Sequence, residues 1–452
     1  MAEQANDNKK LHIAMFPWLA FGHMIPFYEF AKLIAQKGHK VSFISTPRNI
    51  KRLPKLPSNL QPFVEFIELP LPHVENLPEN AESTLDVPYH MVPYLKKAFD
   101  GLQEPLTKFL ENSTPYFLLY DFAPFWLPPI CSNLGIPCIF FCIFCAFVEY
   151  LCLDSVLIKA HNNSIEELAK PVYDFLTQQN ESRVTDAFRI QEIVTGATAV
   201  AIRSCTEVEG QSLKFLESVC KKPVIPVGLL PPSPPQSNDE DHNNGKDENW
   251  PIILKWLDEQ EKESVIYVAF GSEVKLSDEE FIEIAMGLEL SNCPYFWALK
   301  KQNSHNDDVG SSIESNSKRG IIWNNWAPQL KILAHKSIGG FLTHCGWSSM
   351  IESLQFGCPL ILLPFQTEQE LNAMVVEGIN VGVKVERSKD DGKFTRYSIA
   401  KALRSMMLEE EGKSCRSHAE EKKSKIFGNK ELHQNYIDEF VHFLEIHKPN
   451  IN

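Results

Sequence analysis

The chain has 452 residues, 44% of them hydrophobic and 23% charged, enough to bury the cores of two ordinary globular domains. A formal net charge of −14 argues against a nucleic-acid binder, since the two small basic clusters, Lys51, Arg52 and Lys55 then Lys422, Lys423 and Lys425, read as solvated faces. Eleven cysteines without paired spacing, behind a polar start that lacks an apolar signal core, point to free thiols in a reducing, cytoplasmic setting.

In chain order, residues 11–17 (LHIAMFP) predict a strand and 18–26 (WLAFGHMIP) a turn that holds Gly22 and His23. Residues 26–38 place apolar side chains at helical spacing and stop at Gly38, and 39–46 (HKVSFIST) alternate as a second strand. A strand, a helix and a strand in succession predict a parallel sheet. Further strands are expected at 64–70, 116–122, 138–143 and 197–205. The longest apolar run, Cys138 to Val148, is stopped by Glu149 and falls short of the roughly 20 residues a membrane span needs. Cys138, Cys142, Cys145 and Cys152 lie among Phe and Ile, so they read as buried thiols rather than a metal site.

Residues 231–249 are dominated by proline, acid and asparagine and read as a linker. A helix is expected at 250–260, a strand at 264–272 and a helix at 276–291, with Ser277 as N-cap and Glu280 three residues on. Strands follow at 295–300, 320–326, 338–344 and 359–364, with a polar loop at 301–319 and a last amphipathic helix at 431–446. The fold class is therefore α/β, with domains at 1–230 and 250–430 and a terminal segment at 431–452. Ligands of open α/β sheets sit beyond the carboxyl ends of the strands. A cleft between the two domains is the expected binding place.

Residues 326–369 gather one kind of chemistry in a short span. Trp326 and Trp347 offer flat faces, and Gly346 lets backbone come close to a ligand. His344, Ser348 and Ser349 supply donors; Glu352, Glu368 and Gln369 supply acceptors for sugar hydroxyls. Together they suit an aromatic base, a ribose, a diphosphate and a hexose. The segment W-x-P-Q at 326–329, G-x-F-x-T-H-C-G-W at 339–347, Glu352, G-x-P at 357–359, Pro364 and the pair Glu368–Gln369 resemble the signature box of plant family 1 UDP-dependent glycosyltransferases.

That resemblance implies two facing Rossmann-like domains of the GT-B type and a last helix that packs back on the first domain. It implies an inverting transfer of a sugar, glucose by default, from a UDP-sugar to a hydroxyl of a small apolar plant metabolite or its glycoside. Trp326, with Ala327 beside it, is expected to stack on uracil, and Gln329 and Glu352 to bind ribose. His344, Gly346, Ser349 and Ser272 are expected at the diphosphate, and Trp347, Glu368 and Gln369 at the sugar. Gly22 and Ser348 complete the donor set. The sequence departs from the family pattern at Ser348, where Asn is usual, at Glu368, where Asp is usual, and at Cys358, where Val is usual. Serine at that position occurs in relatives that extend an existing sugar, and the longer Glu368 leaves rhamnose, xylose and galactose open beside glucose.

His23, after Gly22, is by spacing alone either a structural turn residue or a base able to take a proton from an acceptor hydroxyl. The resemblance of FGHMIP favours the base. Asp121, at the end of an apolar strand, matches the family's orienting aspartate; by itself it is equally a loop or capping carboxylate. Phe16, Trp18, Phe122, Phe125, Trp126, Phe144 and Phe147 are candidates for the acceptor pocket or for core. No D-x-D stands where a manganese-dependent transferase would want it, so neither metal nor cofactor is expected, with the UDP-sugar a co-substrate. A nucleotide-sugar-binding protein without catalysis is the alternative. A hydrolase using Ser348 or Ser349 is disfavoured, because CGWSS lacks the second glycine of a nucleophile elbow.

Overall fold

A computed structural model of the chain describes residues 10–158, 166–233, 249–271, 274–299 and 319–449. Contacts divide the chain into two compact units, Met1–Pro232 with Lys430–Asn452, and Ser233–Asn429. Most of the segment read as a linker, residues 234–248, and of the polar loop, residues 301–318, lies outside the described residues, as do Lys300 and Ser272.

The first unit is built on seven parallel strands: β1 (His12–Phe16), β2 (Lys40–Ser45), β3 (Val64–Glu68), β4 (Phe117–Tyr120), β5 (Cys138–Cys142), β6 (Ala199–Ile202) and β7 (Val224–Pro226). Their order in the sheet is β3-β2-β1-β4-β5-β6-β7. The chain winds outward from β1 through β3, then returns to lay β4 on the other side of β1. In doubly wound sheets such a reversal opens a crevice beyond the strand ends. The register sets Phe16 of β1 opposite Tyr120 of β4, so the segments leaving these two strands meet at that crevice. Strand β7 was not expected: three residues closed by a proline carry no readable alternation, and Pro226 is tolerated on an edge.

Helix α1 (Phe21–Gln36) corrects the predicted turn. It begins five residues before Pro26, because Ala20 acts as N-cap and its carbonyl accepts the backbone N–H of both His23 and Met24. Pro26 costs one internal bond, to the carbonyl of Gly22, and Gly22 is exposed, where water can serve instead. His23 therefore sits in the first turn of a helix rather than in a loop. Phe27 and Phe30 of α1 pack on Phe141 of β5 in the core of this unit. The last helix, Lys430–Ile446, adds Phe440 to the same core, its ring centre 5.0 Å from that of Phe30. The Tyr436 hydroxyl accepts the backbone N–H of Thr206 and donates to the carboxylate of Glu207.

The second unit repeats the plan with six parallel strands: β8 (Val265–Ala269), β9 (Tyr295–Ala298), β10 (Gly320–Trp323), β11 (Ile338–Thr343), β12 (Leu360–Leu362) and β13 (Gly382–Lys384). The order β10-β9-β8-β11-β12-β13 puts the reversal between β8 and β11, with Ala269 opposite Thr343. Strand β13, again three residues, was missed for the same reason as β7. The helix Asp278–Ser291 starts on the anticipated capping box: the Ser277 hydroxyl accepts from Glu280 N, and the Glu280 carboxylate accepts from Ser277 N. No described helix is long and apolar enough to cross a membrane.

Candidate functional site

In the first unit the residues after β1 and β4 converge. Asp121 comes directly after β4 and is 1% exposed. Its Oδ2 accepts the backbone N–H of Trp18 at 3.0 Å and lies 2.8 Å from His23 Nδ1; its Oδ1 accepts the backbone N–H of Phe122 at 2.8 Å. A carboxylate oxygen only accepts, so Nδ1 of His23 carries the proton and Nε2 is left as the basic nitrogen. The imidazole, 12% exposed, lies between Phe122 and Phe144, each with its ring centre 5.5 Å away.

The candidate acceptor aromatics separate into two groups. Phe16 is fully buried, stacked on Phe99 at 4.6 Å, and Trp126 is buried with its indole N–H donating to Asp100. Both are core: one ends a strand inside the sheet, and the other's polar atom is already satisfied. Trp18 is also buried, edge-on to Phe99 and Phe122, where it backs the dyad. Phe122 and Phe144 flank the imidazole. Phe125 lies against Phe188 and the Arg189 guanidinium, and Phe147 is partly buried, its backbone N–H held by Glu209.

In the second unit the residues after β8 and β11 meet in the same way. His344 comes directly after β11, and its ring is clamped between two glycines. A Cβ on Gly271 would come within 2.8 Å of the ring, and one on Gly346 within 2.6 Å. Gly271 also has φ of +72°, which a side chain would strain. Burial pushes the His344 imidazole down to about 4, against the opposing pull of the Ala269 backbone carbonyl, so the ring is neutral near pH 7. Gly346 is the N-cap of helix α2 (Trp347–Gln355) and brings no side chain to its first turn, whose amides suit an anion. Ser348 and Ser349 lie in that turn, partly buried, and Trp347 is buried.

Gln329 donates through Nε2 to Glu352 Oε2 at 2.7 Å and to Ser349 Oγ at 3.5 Å. Trp326 and Ala327 precede it, and Trp326 is 49% exposed, unlike most large aromatics of the chain. On the next helix, Thr367–Gly378, the Glu368 carboxylate accepts from Asn372 Nδ2 at 3.3 Å, and Gln369 Oε1 accepts the backbone N–H of Phe365 at 2.9 Å. His344, Gly346, Ser348, Ser349, Gln329 and Glu352 are thus assembled along the β8–β11 reversal. Among the described residues no three His, Cys, Asp or Glu side chains come together to hold a metal, and all eleven cysteines are free thiols.

Sequence reasoning missed three residues here. Tyr267 of β8 donates its hydroxyl to Gln329 Oε1 at 3.3 Å. Asn372 also donates to the carbonyl of Cys345, whose φ is +67°. Glu149, which only ended an apolar run, is a buried carboxyl that accepts from the Cys142 thiol at 3.2 Å. A tyrosine inside a strand buried on both faces was a readable signal, because its hydroxyl needs a partner. The other two depend on tertiary packing.

Comparison with known proteins agrees with these features. A family model described as UDP-glucoronosyl and UDP-glucosyl transferase matches residues 249–415, the stretch that carries the Trp326–Gln369 box. Soyasaponin III rhamnosyltransferase of Glycine max is 43% identical over 97% of this chain and 96% of its own. UDP-glycosyltransferase 91B1 of Arabidopsis thaliana is 44% identical over 98% of each. The crystal structure of UGT73P12 from Glycyrrhiza uralensis, complexed with glycyrrhetinic acid 3-O-monoglucuronide, matches with a TM-score of 0.77 over 97% of this chain and 96% of that one. At 22% identity it shows the shared GT-B fold alone. Similarity of this depth along nearly the whole length of both plant relatives means that the chain belongs to the UDP-glycosyltransferase family, enzymes that transfer a sugar from a UDP-sugar to an acceptor.

Proposed function

We propose that the protein transfers a sugar, glucose by default, from a UDP-sugar to a hydroxyl of a small apolar plant metabolite or its glycoside, with inversion and without a metal. In this reading the acceptor oxygen gives its proton to Nε2 of His23 as it bonds to the anomeric carbon. The bond from that carbon to the diphosphate oxygen breaks, and UDP leaves. Asp121 holds the imidazole in the competent tautomer and stabilises the imidazolium that forms. The carboxylate beside the base, Asp121, is taken up by His23 and two backbone N–H groups, which supports a single displacement rather than a covalent intermediate.

The observation that carries this reading is the 2.8 Å contact between His23 and Asp121 at the carboxyl end of the sheet. The donor is assigned to the second unit. Trp326 stacks on uracil, Gln329 and Glu352 take the ribose hydroxyls, and neutral His344, Ser349 and the α2 amides meet the diphosphate. Ser272 joins them in this proposal. Trp347, Ser348, Glu368 and Gln369 take the sugar. Glucose is the default donor; the similarity to a rhamnosyltransferase and the longer Glu368 support UDP-rhamnose as the other. A flavonoid, a triterpenoid and their monoglycosides, each offered UDP-glucose and UDP-rhamnose, test the reading by product anomer and yield. Transfer that survives unchanged in His23→Ala, or products with retained configuration, would overturn it.

A further inference from the structure

We infer that Tyr267 is a positioning residue for donor binding: its buried hydroxyl holds the Gln329 amide, and through it the Glu352 carboxylate, in the orientation that receives the ribose. The inference rests on the reading that Gln329 and Glu352 bind the ribose hydroxyls.

Tyr267 lies in the middle of β8, 1% exposed. Its ring stacks on Phe341 of the neighbouring strand β11, with centres 4.9 Å apart and planes within 24°. The ring has no room to swing, so the hydroxyl is aimed by the sheet itself. Its partner is Gln329 Oε1 at 3.3 Å. Because the phenol donates there, the amide oxygen must face it, and the amide nitrogen must face the other way. That nitrogen has two hydrogens, and two acceptors lie before it, Glu352 Oε2 at 2.7 Å and Ser349 Oγ at 3.5 Å. The relay joins a strand, the short helix Gln329–Leu333 and helix α2 at one point. A hydroxyl that donates to the amide oxygen also strengthens the amide's own donation to the carboxylate. Glu352 thus meets the ribose with one oxygen already tethered. Burial and the Glu352 charge raise the phenol well above its ordinary range, so it remains a donor at every working pH.

Tyr267→Phe keeps the ring, its stacking and its volume, and removes only the donor. The test measures dissociation constants of UDP and of 2′,3′-dideoxyuridine diphosphate by calorimetry, together with the melting temperature, for the full chain and the variant. The wild-type chain is expected to prefer UDP by about tenfold or more. The variant is expected to lose about three- to tenfold for UDP, the effect of one hydrogen bond, and less than twofold for the dideoxy ligand. Equal losses for both ligands, or no loss for either, overturn the positioning role while leaving the ribose reading intact. A wild-type chain that binds both ligands alike overturns the ribose reading itself, and the positioning role with it. A second check places Tyr267→Phe in a Gln329→Ala background: no further loss for UDP is expected, and a further loss overturns the relay.

Discussion

His23 Nδ1 and Asp121 Oδ2 are 98 residues apart in the chain and 2.8 Å apart in space. Two adjacent parallel strands bring them together, and two backbone N–H groups, of Trp18 and Phe122, hold the carboxylate in place. His23→Ala is expected to lower transfer by roughly 10²- to 10⁴-fold, with UDP affinity within about twofold of wild type. Asp121→Asn should fall in the same range. Its neutral amide, whose oxygen is held toward the Trp18 N–H, no longer stabilises the imidazolium that forms. Turnover and UDP binding measured together check both. A matching collapse of UDP affinity would mean that the dyad is structural.

Trp326 leaves half of its surface in solvent, which a packed core residue would not. Trp326→Ala is expected to raise KM for the UDP-sugar by about tenfold or more, given about 1–3 kcal/mol for a base stacked on an aromatic ring. The effect on kcat should be small, and Trp326→Phe should recover most of the loss. Initial rates against donor concentration decide it, and an unchanged KM would remove the stacking role.

Gly346 has ordinary dihedrals, φ −69° and ψ 131°, so alanine there strains no backbone. What alanine would meet is the His344 ring, at 2.6 Å. Gly346→Ala should therefore displace that imidazole and weaken donor binding by about tenfold, with little change in melting temperature. In a His344→Ala background the same substitution should cost almost nothing, because the clash is gone. Additive losses in the double variant would refute the clamp.

Glu149 is 3% exposed, its Oε1 has no hydrogen-bond partner among the described residues, and its Oε2 accepts from Cys142. Burial pushes this carboxyl up to about 7, against the Cys142 hydrogen bond, and the Asp121 charge adds to the rise. From the ordinary carboxyl range to about pH 7 the folded state binds more protons than the unfolded chain. Its contribution to stability is thus complete at low pH and is lost as pH rises through 7. Glu149→Gln removes this dependence. The variant should match wild type near pH 4 and exceed it at pH 8 by on the order of 3 kcal/mol. Denaturant titrations at the two pH values test this, and a difference that does not vary with pH would contradict it.

Period and motif were enough for most of the architecture. Alternating and helical apolar spacing marked most of the strands and the Ser277 capping box, because those patterns depend on neighbours close in sequence. The box from Trp326 to Gln369 was legible for the same reason: its residues lie on consecutive elements of one unit. The three-residue strands β7 and β13 were not legible, since they exist only as partners added to an edge already formed. The start of α1 was misplaced because a proline within a helix is decided by what its lost partner can bond to instead.

The chain's own pattern determined which residue types were available, an imidazole near the first strand, a carboxylate near the fourth, and a run of donors and flat rings in the second half. Only the tertiary structure decided which of them meet. Strand order and register set His23 against Asp121 and Tyr267 against Gln329, and burial left Phe16 in the core while Trp326 stayed exposed. The reason is physical: spacing along the chain reports local periodicity, whereas a hydrogen bond between distant residues depends on how sheets wind and on what the fold removes from water.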